Sequence, residues 1–595
     1  MTSSDSRTQG DHRRRRALVG DLLPGAMLLR RYQRQWLRPD LTAGLTVGAM
    51  LIPQSMGYAE LAGMAPQYGF YAVIGALVVY AVVGSSRHLG VGPEPGTAIL
   101  AASGVAAIAN GDGGRYVTLM AALALVVAAI CLVAAALRLG YLASMLSKPV
   151  LVGYITGVGL TLFSSQLGTL TGASIEADSF FPRCWQFLHR LGQVHGPTVA
   201  IGLAALCAIL LLKWKAPQAP AALIGVVLAT SVTAMWSLGD HGVALVGEIP
   251  KGLPTPGFPS ASLHDLALLL PIAAGIALVG FSDNVLTARA IAASRGYRID
   301  PNQELLALGL INLTAGVSHG FPISSSASRT AVPASLGSRT QLVSLIASAF
   351  VVASLLLLRP ALAEIPRTAL AAVILVAAIT IIDFDGFVSL WHVNRGECVI
   401  AVSAALGVIV LGVLYGIVIA VALSIAVALG SIARPHDAVL GNMPGLDGWV
   451  DVGEYPTALT ASGLLVFRFD APLIFMNTER FRDRVEQALE ENPGREEWFV
   501  MDCEGIGTLD ASALDMLGEL ASTVHSLGVD VLAVTRANEP VLARLRRAGL
   551  VEPDGPMRVF PTINGAVRAF HARTAAAAAP PDGSEPESGP DLAQE

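Results

Sequence analysis

The chain has 595 residues, 53% of them hydrophobic and only 14% charged, with a mean hydropathy of +0.59. That balance excludes an ordinary soluble globular protein and makes the lipid bilayer the default solvent. The net charge of -6 is small and the basic residues are scattered among short polar breaks and the two ends, so no nucleic-acid partner is expected.

Residues 1–38 form an expected cytoplasmic N-terminal segment. Arg13, Arg14, Arg15 and Arg16 stand in polar surroundings without the apolar stretch and small-residue cleavage site of a secretory signal, so this end is expected to be retained. Arg30, Arg31, Arg34 and Arg38 just before the first apolar run place it inside under the positive-inside rule.

Residues 39–433 read as an all-α polytopic membrane domain of about fourteen spans. The apolar runs begin near Leu41, Gln67, Glu94, Tyr116, Pro149, Pro197, Pro220, Leu266, Asn302, Ser324, Gln341, Arg367, Glu397 and Gly412. An even number leaves both termini in the cytoplasm, with the inner (plasma) membrane as the expected location. Cys131, Cys184, Cys207, Cys398 and Cys503 lack metal-ligand spacing and read as small hydrophobes, so neither a zinc site nor a disulfide framework is expected.

Within the first run, Pro53 and Gln54 interrupt an apolar sequence. The Gln54 amide either offers two donors to an oxyanion in a cavity or packs against a neighbouring helix. Two later runs are short and open with turns, Gly92-Pro93-Glu94-Pro95-Gly96-Thr97 and Phe321-Pro322-Ile323-Ser324-Ser325-Ser326. Each is the third of its half, so the chain reads as two seven-helix repeats. Paired interrupted segments point to a transport site built from half-helices, whose N-termini present free N–H groups and the positive end of the dipole to an anion. The candidate substrate-binding residues are therefore Gln54, Glu94, Pro95, Gly96, Thr97, Ser325, Ser326, Ser328 and Arg329. Glu94 is either a capping acid or a protonatable group lining the site, and Arg329 either adds positive potential there or snorkels to the interface.

Asp283, in the first run of the second repeat, is costly in hydrocarbon and implies a cavity, a cation or a proton. Thr287 lies one turn on along the same face. The alternative for Asp283 is a cap at a break or an ion pair with Arg289.

Residues 434–575 are richer in charge and read as a small α/β domain with a linker. Strands are expected at 464–469, 498–502 and 529–534, and helices at 478–490, 512–527 and 539–548. Residues 576–595, rich in alanine, proline and acids, read as a disordered tail. No P-loop, metal-ligand cluster or nucleophile–base–acid set is present, so an enzyme is not expected and no cofactor is needed beyond a coupling ion.

Pro66-Gln67-Tyr68-Gly69-Phe70-Tyr71, Tyr80, Gly84-Ser85-Ser86, Gly92-Pro93 and Ser326–Arg329 resemble the signature of the SulP anion permeases, and the C-terminal part is similar to their STAS domain. The resemblance covers nearly the whole chain. It implies a seven-plus-seven inverted repeat divided into core and gate domains, a homodimer, an unknown protein that binds the STAS domain, and a small inorganic anion as substrate. Family substrates include sulfate, bicarbonate, chloride and dicarboxylates; the overall pattern, including the run Gly316-Val317-Ser318-His319-Gly320-Phe321-Pro322, looks closest to actinobacterial members regarded as sulfate permeases, so sulfate is expected. Asp283 and Thr287 match an Asp and Thr of the sodium site in bicarbonate-carrying members, but Ala327 replaces their half-helix threonine, which favours H+ over Na+ as the coupling ion. Ser512 falls where related STAS domains of anti-sigma-factor antagonists carry a phosphorylatable serine, with Ala513 in place of the usual glycine; the alternative is a helix N-cap. An uncoupled exchanger or channel and a membrane sensor are the competing classes, and the acid at Asp283 argues against a simple channel.

Overall fold

The computed structural model describes residues 23–578 except 145–146, 178, 217–218, 444, 446–447, 492–496, 552 and 554. The chain divides into two compact units, 1–424 and 425–595. The Arg13–Arg16 segment and residues 579–595 of the expected tail lie outside the described residues.

Fourteen principal helices carry the membrane domain. The first half comprises α1 (Leu37–Leu61), α2 (Gln67–Val83), α3 (Pro95–Ala109), α4 (Gly113–Ala136), α5 (Lys148–Ser165), α6 (Gly196–Lys215) and α7 (Ala221–Met235). The second comprises α8 (Leu263–Arg295), α9 (Pro301–Val317), α10 (Ala327–Ser335), α11 (Leu342–Leu357), α12 (Arg367–Ile381), α13 (Arg395–Leu411) and α14 (Val413–Ala433). Their starts follow local chemistry. Proline occupies the first turn of α3, α5, α6 and α9, where its missing N–H costs nothing, and Asp112, Ser262 and Asp300 cap α4, α8 and α9 through their side chains. Short helices at Pro24–Arg30, Phe180–His189 and Phe384–Val393 lie outside the expected pattern.

Packing sorts these helices into two sets. In one, α9 lies against α2 and α4, α11 against α1 and α2, and α8 against α3 and α4; in the other, α5 lies against α12 and α13, and α6 against α7 and α12. Glycine permits the closest crossings: a Cβ on Gly69 would stand 1.9 Å from the Ser55 carbonyl oxygen, and one on Gly153 2.0 Å from that of Ala401.

Two helices are set apart by a short strand just before each of them. α10 has 9 residues, about 14 Å at 1.5 Å per residue and roughly half a hydrocarbon core. α3 has 15. Each follows a two-residue strand, β1 (Val91–Gly92) before α3 and β2 (Ser324–Ser325) before α10, and the two strands pair antiparallel with Val91 opposite Ser325 and Gly92 opposite Ser324.

The C-terminal unit holds a six-stranded sheet of β3 (Asp437–Asn442), β4 (Trp449–Asp451), β5 (Leu464–Phe469), β6 (Trp498–Asp502), β7 (Val531–Thr535) and β8 (Met557–Phe560), in the order β4-β3-β5-β6-β7-β8. β5 through β8 run parallel, and β3 is antiparallel to both of its neighbours. Alternation along the strands feeds two cores. Leu465, Phe467 and Phe469 join the core formed with α15 (Thr478–Glu491), α16 (Ala511–Ser526) and α17 (Glu539–Arg547), while Leu464, Val466 and Trp498 face Ile563, Ala566 and Phe570 of α18 (Ile563–Ala578). Three of the six strands and α18 are additional to the expected elements, β7 starts two residues late, and α18 carries helix to Ala578, past the expected tail boundary at 576.

Candidate anion-binding site

The β1–β2 ladder sets the N-termini of the two half-helices across from each other. Gly92 has a φ of 145°, a conformation that glycine adopts without strain, and a Cβ there would meet Val73 at 3.0 Å. Beyond the ladder the Ser326 N–H donates to the Gly90 carbonyl at 3.0 Å, and the Gly90 N–H donates to Thr330 Oγ1 at 3.0 Å.

The two half-helix starts differ in one respect. Glu94 is the N-cap of α3: its Oε2 accepts from the Thr97 N–H at 2.8 Å and from Thr97 Oγ1 at 3.1 Å, and Thr97 Oγ1 also lies 3.1 Å from Ser324 Oγ. Pro95 and Gly96 form the first turn of that helix. Ser326, the N-cap of α10, makes no side-chain cap, and its hydroxyl pairs at 3.0 Å with that of the exposed Ser328. Among the described residues no side chain caps the first N–H groups of α10, so its dipole end is open to a ligand.

Arg329 is fully buried, which overturns the interface-snorkelling alternative. Its Nη1 donates to Gln54 Oε1 at 3.1 Å, so Gln54 turns its acceptor toward Arg329 and keeps its two amide donors. Among the described residues Arg329 Nε and Nη2 are buried without a hydrogen-bond partner, and Ser325 Oγ lies beside the Asp283 carboxylate. Two unpaired donors on one buried guanidinium, beside an uncapped helix start, suit an anion.

Asp283 on α8 is partly buried, and its electrostatic neighbours are Glu94, Ser325 and Arg329. α8 comes close here: a Cβ on Gly280 would lie 3.4 Å from Ser324 Cβ. Arg289 is exposed, and among the described residues no ion pair joins it to Asp283. Thr287 is partly buried one turn further along α8. The site thus brings together Gln54, Glu94, Thr97, Ser325, Ser326, Arg329 and Asp283.

Sequence reasoning misses Glu304, which is fully buried in the first turn of α9. It accepts from Tyr80 Oη at 2.9 Å, Ser85 N–H at 3.0 Å, Ser85 Oγ at 2.6 Å and Ser86 N–H at 3.1 Å. Glu304 therefore anchors the loop that leads into β1. Asp40 does the same for the loop after α10, accepting from Arg339 N–H at 2.7 Å and Thr340 Oγ1 at 2.6 Å. Both acids look like ordinary first-turn residues in sequence; the signal available is the Tyr80 and Gly84-Ser85-Ser86 cluster, whose donors need an acceptor.

Cavities of about 340 and 780 Å³ open elsewhere, and neither is lined by Gln54, Glu94 or Asp283. An inorganic anion needs far less room than a drug-sized ligand, so the unpaired donors are the better guide. In the C-terminal unit, Ser512 is exposed in the first turn of α16. It is not the N-cap: Asp510 takes that place, accepting from the Ala513 N–H at 2.8 Å.

Residues 37–404 match the sequence model described as the sulfate permease family, and residues 455–566 match that of the STAS domain. A probable sulfate transporter of Mycobacterium tuberculosis is 46% identical over 550 residues, covering 92% of this chain and 98% of the relative. Probable sulfate transporter 4.2 of Arabidopsis thaliana is 32% identical, covering 92% and 84%. Among solved structures, the murine Solute Carrier 26 family member A9 anion transporter in its inward-facing state is similar, with a TM-score of 0.85 at 25% identity, covering 93% of this chain and 95% of that one. The transmembrane domain of a cyanobacterial bicarbonate transporter is similar with a TM-score of 0.59 at 22% identity, over 65% of this chain and 98% of that one. This chain is a multi-pass membrane anion transporter that belongs to the sulfate permease family and ends in a STAS domain.

Proposed function

We propose that the chain imports sulfate across the plasma membrane by alternating access, driven by protons, with both termini in the cytoplasm. The observation that carries the anion site is the pair of unpaired buried donors on Arg329, Nε and Nη2, beside the open N-terminus of α10. Gln54 adds amide donors from α1. A tetrahedral dianion between residues 94–97 and 325–328 would satisfy these groups.

Charge supplies the coupling. Glu94 and Asp283 share the neighbourhood with the single guanidinium of Arg329. With both acids ionised the surroundings repel an incoming anion; a proton on Asp283 removes one negative charge and lets Arg329 and the half-helix dipole act. Proton and anion then favour each other's binding, a coupling that is reciprocal and typically worth on the order of 1–3 kcal/mol. The two helix sets supply bodies that can move against each other, α1–α4 with α8–α11 carrying the site. A homodimer and a soluble partner for the STAS domain complete the proposal.

The test is uptake of labelled sulfate and of bicarbonate by the purified full chain in liposomes, with and without imposed proton and sodium gradients. Sulfate accumulation driven by the proton gradient supports the reading. Accumulation of bicarbonate on a sodium gradient, with no response of sulfate to pH, replaces it with the sodium-coupled alternative.

A further inference from the structure

We infer that the cavity framed by Arg31, Arg87 and Arg298 binds the phosphate of an anionic phospholipid headgroup, at a site separate from the one between the half-helices. The cavity measures about 340 Å³, and its lining includes these three arginines together with Tyr297, Met27 and Leu28. Among the described residues none of the three guanidiniums forms an ion pair. The acids of the neighbouring loops are committed: Glu304 accepts from Tyr80, Ser85 and Ser86, and Asp300 caps α9 through the N–H groups of Asn302 and Gln303. The three arginines are exposed around the cavity with no acid among the described residues paired to them, and arginine's planar fork suits phosphate oxygens.

The walls are held in place before any ligand arrives. The Arg87 guanidinium lies over the Tyr297 ring, 5.2 Å from its centroid. Tyr297 Oη is 3.2 Å from Ser86 Oγ and 3.0 Å from His88 Nδ1, and the Gln341 amide donates to the Ser86 and Leu89 carbonyls at 3.0 and 3.1 Å. Arg31 is placed by the helix Pro24–Arg30, which seats on the end of α2 through Gly25; a Cβ there would stand 2.3 Å from the Ala81 carbonyl oxygen. A basic pocket at the ends of membrane helices, on the arginine-rich side of the first span, is a fitting setting for anionic headgroups. Met27 and Leu28 add an apolar wall, of no use to free phosphate but suited to the glycerol and first methylenes of a lipid.

Position gives the site a consequence. Arg87 lies in the loop that leads into β1 and is anchored by Glu304, and Arg298 lies in the α8–α9 connection that precedes Glu304. A bound headgroup therefore clamps the N-terminal helix to the two connections that position one side of the β1–β2 ladder.

Binding is read without relying on transport, by thermal melting of the purified full chain in a neutral detergent titrated with dihexanoyl phosphatidylglycerol, dihexanoyl phosphatidylcholine or inorganic phosphate. The glycerol lipid should raise the melting temperature saturably and the choline lipid should not. Arg87→Gln or Arg298→Gln should raise the half-saturating concentration by about fivefold each, the effect of one basic group near an anionic surface, and the pair by more. Arg329→Gln should leave this titration unchanged, which separates it from the half-helix site. Should a glutamine variant fail to fold, Arg87→Lys and Arg298→Lys serve, since they keep the charge, lose the fork and should weaken binding less. Saturation by inorganic phosphate alone, with the same dependence on Arg87 and Arg298, keeps the site and reassigns its ligand to free phosphate. No saturable response to either phosphate source, or equal half-saturation in wild type and variants, overturns the inference.

Discussion

Replacing Arg329 by glutamine tests how the site tells a dianion from a monoanion. The guanidinium is fully buried, so its charge acts with little screening by water, and the introduced side chain would retain an amide able to pair with Gln54. At roughly 6 Å and an effective dielectric constant of about 20, one unit charge is worth about 3 kcal/mol to a monoanion and about 6 kcal/mol to a dianion. The difference of about 3 kcal/mol corresponds to a factor of about 100 in relative affinity. Competition against labelled sulfate counterflow, with chloride and bicarbonate as competitors, reads the ratio directly. By the same arithmetic the variant should bind sulfate about 10,000-fold and the monoanions about 100-fold more weakly than wild type, so that its preference moves toward them by about 100-fold. Equal losses for sulfate and chloride in a folded protein would refute the electrostatic reasoning and leave Arg329 as a packing residue.

Asp283→Asn imitates the protonated acid, so it should still exchange anion but lose gradient-driven accumulation; accumulation at the wild-type level, with the same pH dependence, moves the coupling role to Glu94. Combining Gln54→Leu with Ser326→Val should weaken sulfate binding by at least about tenfold, through the loss of two hydrogen-bonding groups at about 1 kcal/mol each, and unchanged binding would remove these residues from the site. Glu304→Ala strips the acceptor from Tyr80, Ser85 and Ser86, leaving buried donors unpaired, and should cost about 3 kcal/mol or more of stability, read by denaturant unfolding in detergent; a loss below about 1 kcal/mol would show that the loop finds other partners. Ser512 is exposed in the first turn of α16, where a phosphate would meet the helix dipole but also the nearby Asp510 carboxylate. Mass spectrometry of the protein from its own cells should find it modified, and its consistent absence would end regulation by that route.

The membrane helices are largely readable in the sequence because their length and composition answer to bilayer thickness and their starts to proline and capping chemistry. The half-helices are readable for a related reason: Gly92-Pro93 and Phe321-Pro322 cannot continue a spanning helix, and their matching places in the two halves expose the repeat. The pairing of β1 with β2 is not readable, since two-residue strands more than 200 positions apart carry no period. Arg329 reads as equally able to snorkel or to line the site; only the packing of Gly90 and Gly92 against it shows that it is enclosed. Glu304 and Asp40 escape notice because a first-turn acid already has a sufficient local explanation, whereas their partners are loops distant in sequence. In the C-terminal domain the central strands announce themselves by apolar runs. β4 has three residues and β3 is broken by glycine and asparagine, and the alanine-rich stretch of α18 resembles a tail until Ile563 and Phe570 are seen covering the sheet.

The central claim, that the anion sits between the starts of α3 and α10, is tested most directly by locating selenate, a sulfate analogue with a strong anomalous signal, in crystals of the purified chain. One ordered peak is expected between residues 94–97 and 325–328, within hydrogen-bonding reach of Ser325 Oγ and Arg329 Nη2 and lost in Arg329→Gln. Selenate found only elsewhere, for instance in the cavity lined by Arg183, His195 and Arg367, with the half-helix starts empty, would contradict it.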